Sequence, residues 1–104
     1  RSDLPPPPIP AGRPPGNVLG VVVTAGSRRV TLEWQRPAGA VAVIIVRRPG
    51  RHGAESTVYE GKATSYVDRT VRNSIAYRYL IISRDRWGRL SSGVPTVVRP
   101  SGRS

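Results

Sequence analysis

Residues 30–35 read Val-Thr-Leu-Glu-Trp-Gln, apolar and polar in strict alternation. A period of two puts Val30, Leu32 and Trp34 on one face of a strand and Thr31, Glu33 and Gln35 on the other. A helix cannot segregate this pattern, so the segment must sit in a sheet with one covered face. The rest of the chain keeps the same texture. Residues 18–24 (VLGVVVT) are β-branched and apolar, and residues 25–27 (AGS) form a turn before the alternating strand. Pro37–Gly39 breaks that strand, and residues 41–48 (VAVIIVRR) make a third, more fully buried one. After a loop at 49–54 (PGRHGA), residues 56–60 and 64–68 are short strands around a Gly61–Lys62 turn. Residues 74–84 (SIAYRYLIISR) form the longest strand, with Tyr77, Tyr79, Ile81 and Ser83 on one face. Residues 86–90 turn, and 94–99 (VPTVVR) close the sheet with Pro95 at an edge position. About seven short strands, turns about every ten residues and no sustained 3.6-residue period predict an antiparallel sandwich. Trp34, Leu32 and Ile81 are the expected core.

Residues 1–16 differ in kind: seven of the sixteen are Pro. Proline fixes φ and lacks an amide donor, so this stretch cannot enter a sheet. It reads as a Pro-rich linker, a polyproline II spacer of about 3 Å per residue. Its P-x-x-P spacings also fit a ligand for a proline-binding domain. The expected division is therefore linker 1–16, domain 17–100 and flexible tail 101–104. Opening on Arg1 rather than Met, the chain reads as a segment of a longer protein.

Further matches accumulate in a fixed order. Trp34 ends its strand just ahead of Pro37. The run Tyr59-Glu-Gly-Lys-Ala-Thr-Ser-Tyr-Val-Asp68 follows, then Val71 six residues ahead of Tyr77. Last come Tyr77-Arg-Tyr-Leu-Ile-Ile-Ser-Arg-Asp85, Trp87-Gly88 and Leu90-Ser91. Residues 17–99 thereby resemble a fibronectin type III domain, specifically its bacterial form. The resemblance implies an immunoglobulin-like antiparallel β-sandwich. It also implies a tyrosine corner, in which the Tyr77 hydroxyl bonds to upstream backbone near Val71. Three departures stand out: the third strand is aliphatic around Ile44, Val71 replaces Leu, and Ser83 stands where Ala is common. The adhesion tripeptide Arg-Gly-Asp is absent.

Chemistry-bearing residues are few. The 104 residues include no Cys, which excludes disulfides, thiolate metal sites and Cys nucleophiles. The single His, His52, lies in a Gly-flanked loop, where a solvated residue is the ordinary reading. The six carboxylates have the placing of turn residues or partners for neighbouring Arg, Asp68 and Asp85 above all. No catalytic, metal-binding or cofactor-binding set emerges, and no cofactor or small-molecule substrate is expected. No apolar run is long enough for a transmembrane segment, and the N-terminus lacks a signal-peptide core, so any export signal lies outside these residues.

The net charge is +11, carried almost entirely by Arg, with Lys62 the one Lys. Such charge draws polyanions; an Arg-rich surface composition explains it equally. On the resembled topology, Arg28, Arg29, Arg47, Arg48, Arg51, Arg69 and Arg72 fall in or beside loops at one end. Arg84, Arg86 and Arg89 fall at the other. Trp87, between Arg86 and Arg89, has two readings: a contact anchor, or a ring folded onto the sandwich end under an Arg. The function expected is non-catalytic: a spacer or interaction domain in a larger bacterial protein, with neighbouring domains of the same chain as partners. The resemblance implies an exported or cell-surface setting; a cytoplasmic one stays open. The alternative is an Arg-rich module binding an anionic polymer, such as a wall polymer or nucleic acid, or a protein partner.

Overall fold

A computed structural model describes residues 15–50 and 53–101. Most of the Pro-rich arm, the loop residues Arg51 and His52, and residues 102–104 of the expected tail lie outside the described residues. Seven strands follow in chain order: β1 (Leu19–Gly26), β2 (Arg29–Gln35), β3 (Ala40–Pro49), β4 (Ser56–Gly61), β5 (Ser65–Asp68), β6 (Tyr77–Asp85) and β7 (Val94–Val98). They make two antiparallel sheets, β1-β2-β5 and β4-β3-β6-β7.

The inner faces meet in one core of Val30, Leu32 and Trp34 from β2, Val43 and Ile45 from β3, and Tyr77, Tyr79 and Ile81 from β6. Val18 and Val71 complete it from outside the strands. The alternation at 30–35 therefore has its predicted outcome: Val30, Leu32 and Trp34 are buried. Each such apolar side chain contributes about 1.5–3 kcal/mol by leaving water. Tyr59 packs beside Trp34, with ring centroids 6.3 Å apart, and beside Tyr66 at 5.3 Å.

Two strands depart from the sequence reading. β6 starts at Tyr77, not Ser74: Ser74 takes φ 69°, a left-handed turn conformation, and its amide donates to the Pro100 carbonyl at 2.9 Å. β3 is core on one face only. Val43 and Ile45 are buried, while Ile44 and Val46 are half-buried, opposite Ile82 and Leu80 of β6 on the outer face. Pro95 pairs with Leu80 on the edge strand β7, where a missing amide donor is tolerated.

The N-terminal entry is fastened. The Ser83 hydroxyl donates to the Gly16 carbonyl at 2.5 Å. The Asn17 carboxamide accepts from the Gly93 amide at 2.8 Å and donates to the Ser92 hydroxyl at 3.2 Å. Ser91 joins in, its hydroxyl accepting from the Ser83 amide at 3.0 Å.

Candidate functional site

Both ends of the sandwich carry arginines, and each is organised by one carboxylate. At the first end that carboxylate is Asp68, the last residue of β5, whose side chain is fully buried. One oxygen accepts from Arg47 Nη1 and from the Tyr79 hydroxyl, both at 2.8 Å. The other accepts from the Thr70 amide at 3.0 Å and the Thr70 hydroxyl at 2.7 Å. Burial alone would raise the Asp68 pKa; the Thr70, Arg47 and Tyr79 hydrogen bonds outweigh it and hold the carboxyl below its ordinary value. Burial, reinforced by Asp68, pushes the Tyr79 hydroxyl well above its usual range, so it stays a donor.

This hub relocates Arg47. The sequence placed it in a basic surface cluster, but Arg47 lies within β3 with its side chain directed inward. Its guanidinium also donates to the Thr70 hydroxyl at 2.6 Å and sits 5.4 Å from the Tyr77 ring centroid. Burial works against its charge, and Asp68 more than restores it. Arg47 is therefore committed to holding strands together. Arg48 faces the other way, opposite Arg78 on the outer sheet face and beside Glu55. Arg51 lies outside the described residues.

What gathers at this end is Arg28, Arg69 and Arg72, which line one open groove with Thr70, Val71 and Asn73. The tight β1–β2 hairpin places Arg28 at its tip with φ 53°. Arg29 opens β2 next in sequence and lies along Gly26, where an added Cβ would stand 3.1 Å from its Nη2. The β5–β6 loop is fixed by the tyrosine corner, as the resemblance implied: the Arg72 amide donates to the Tyr77 hydroxyl at 2.8 Å. The Gly50 amide donates to the Ala76 carbonyl at 2.8 Å, tying in the start of the β3–β4 loop. Asn73 joins the first two loops, accepting from the Arg28 amide at 2.8 Å and donating to the Ser27 hydroxyl at 3.4 Å. Nothing in the local sequence marked Asn73, because its partners are about 45 residues away in the chain.

At the second end the organiser is Asp85. One oxygen accepts from the amides of Trp87 at 3.0 Å and Arg89 at 2.8 Å; the other accepts from Arg89 Nε at 2.8 Å. Gly88, at φ 82°, supplies the left-handed residue that closes the turn. Burial would raise the Asp85 pKa, but the Arg89 and Trp87 hydrogen bonds lower it overall. Trp87 stands half in solvent, with the Arg86 and Arg89 guanidinium groups 5.2 and 5.5 Å from its ring. Both readings of Trp87 are thus partly realised: the ring is stacked by arginine, and it is also exposed. Arg84 pairs with Glu60 at 2.6 Å on the surface.

No group of three or more His, Cys, Asp or Glu side chains able to hold a metal occurs among the described residues. No helix there is long and apolar enough to cross a membrane.

No protein-family model and no curated sequence matches the chain. Solved structures do. The fifth fibronectin domain of Drosophila Lar superposes with a TM-score of 0.70 at 16% identity, covering 85% of this chain and 98% of that one. The chain has the fibronectin type III fold. A human fibronectin type III domain gives 0.64 at 20% identity, covering 88% and 93%. An Fn3-like protein of Clostridium thermocellum gives 0.69 at 16% identity, covering 88% and 99%. The twitchin kinase region of C. elegans gives 0.74 at 22% identity; 88% of this chain matches only 17% of that much longer one.

Proposed function

We propose that this fibronectin type III domain is a non-catalytic module that sets the direction of what precedes it in a longer chain. The observation that carries this is the fastened entry. A spacer transmits orientation only if its junction does not swivel; here the Gly16 carbonyl is held by the Ser83 hydroxyl of β6, and the Asn17 side chain is held by the Gly93 amide and the Ser92 hydroxyl between β6 and β7. Ser83 explains itself here. The family's usual Ala has no hydroxyl; Ser83, fully buried, uses its own to grip the Gly16 carbonyl. The Pro-rich composition just upstream suits a stiff continuation. An exported or cell-surface bacterial protein is the setting we infer, from the resemblance of residues 59–68 and 77–91 to bacterial members.

Backbone 15N relaxation tests the junction. Residues 16–18 should be as rigid as β6, with order parameters near 0.85, and should loosen below about 0.6 in a Ser83→Ala, Asn17→Ala double variant. Equal mobility in both proteins would remove the orienting role. A second reading, a binding module for an anionic polymer or a protein partner, is favoured by Arg28, Arg69 and Arg72, which line one groove and make no ion pair among the described residues. Cell fractionation of the parent protein checks the exported setting, and recovery in the cytoplasm alone would overturn it.

A further inference from the structure

We infer that the groove between the β1–β2 hairpin tip and the β5–β6 loop is an anion site for the phosphate groups of a base-free phosphodiester polymer, read by Arg28, Arg69 and Arg72. This rests on the binding-module reading and narrows it to one place and one chemistry.

Three observations converge. First, three arginines from two loops line a single open groove with Thr70 and Asn73. Guanidinium forks match tetrahedral oxyanions, while Thr70 and Asn73 hold the loops that carry them. Second, no ion pair among the described residues compensates these three guanidinium groups. Asp68, the carboxylate directly beneath, is buried and saturated by Arg47, Tyr79 and Thr70, so it cannot turn outward to neutralise the rim. Third, the groove is built rather than incidental. Asn73 bonds across from one loop to the other, and the Arg72 amide is fixed by Tyr77. Preorganised loops bind without a large ordering cost.

The surroundings select among phosphate polymers. Single-stranded nucleic acid is held by aromatic platforms on which bases stack. Among the described residues no aromatic lines this groove; Tyr77 and Tyr79 lie buried beneath it, and the exposed Trp87 sits at the opposite end. Phosphate contacts alone suit a polyol-phosphate chain.

The test is binding of the 104-residue chain to poly(glycerol phosphate), with single-stranded DNA and inorganic phosphate as comparison probes, followed by calorimetry and by amide shifts. Three phosphate contacts predict a roughly twenty-fold loss of affinity between about 50 and about 200 mM salt. A variant with Arg28, Arg69 and Arg72 each changed to Gln should lose at least about tenfold. Arg86→Gln with Arg89→Gln, at the other end, should lose less than about twofold. Asn73→Ala keeps every charge but unfastens the groove, and should lose about three- to tenfold with the fold intact by thermal melting. Losses that follow net charge alone, with Asn73→Ala unaffected, would overturn the site. Binding that fails only in the Arg86/Arg89 variant would overturn this groove and leave the binding-module reading standing. No binding to any probe would sink this site and the anionic-polymer reading with it. Tighter binding of DNA through the same groove would overturn the base-free polymer.

Discussion

Replacing Asp68 with Ala tests whether one buried carboxylate holds this sandwich together. The substitution removes acceptors for four hydrogen bonds and leaves the donors in place. The Tyr79 hydroxyl, in a side chain 1% exposed, has no route to water, and an orphaned buried donor costs about 1–3 kcal/mol. Breaking a fully buried ion pair costs about 3–5 kcal/mol; Arg47, whose side chain is 17% exposed and keeps its Thr70 bond, should pay about half that. Thr70 is near solvent and adds little. The expected loss is about 3–5 kcal/mol, or roughly 15–25 °C in melting temperature for a domain this size. Urea and thermal unfolding followed by circular dichroism measure it. The decisive arm is a double-mutant cycle. Tyr79→Phe alone should cost about 1.5–3 kcal/mol, since it deletes a bond to a charged acceptor. In the Asp68→Ala background the same change should be neutral or stabilising, because it removes the orphan. An Asp68→Ala loss below about 1 kcal/mol, or Tyr79→Phe costing the same in both backgrounds, would refute the reasoning.

Acid should unfold the protein through the same groups. Asp68 and Asp85 have folded pKa values lowered from the ordinary carboxylate value, so their stabilisation is fully present above the unfolded pKa near 4 and is lost as pH falls through the folded values. Urea midpoints between about pH 6 and pH 2 should fall, and Asp68→Asn should flatten that fall. Gly61→Ala should destabilise by about 1–3 kcal/mol, because its Cβ would stand 2.5 Å from the Tyr59 hydroxyl and displace a ring packed on Trp34; equilibrium unfolding reads this directly. Tyr77→Phe should cost about 1 kcal/mol in the same assay by freeing the Arg72 amide. Glu60→Ala, which breaks the exposed pair with Arg84, should change stability by less than about 1 kcal/mol.

The sequence by itself determined the strand pattern and the core. Period-two alternation is a local property, so Val30, Leu32, Trp34, Tyr77, Tyr79 and Ile81 could be assigned to an inner face without knowing what they would meet. Turn chemistry is local too: Asp85 and Gly88 sit four residues or fewer from their partners in the Asp85–Arg89 turn. The fate of the arginines was decided only by the tertiary structure. Arg47 and Arg48 are neighbours in the chain with the same side chain, yet strand alternation sends one inward to Asp68 and the other outward beside Arg78. Which of the two found a carboxylate depended on β5 ending opposite β3, a fact of sheet packing. Asn73 was silent, and Ser83 stood out only as a departure without a visible role, for the same reason. Their partners, Arg28 and Gly16, are 45 and 67 residues distant, and no local pattern encodes a contact made across that span.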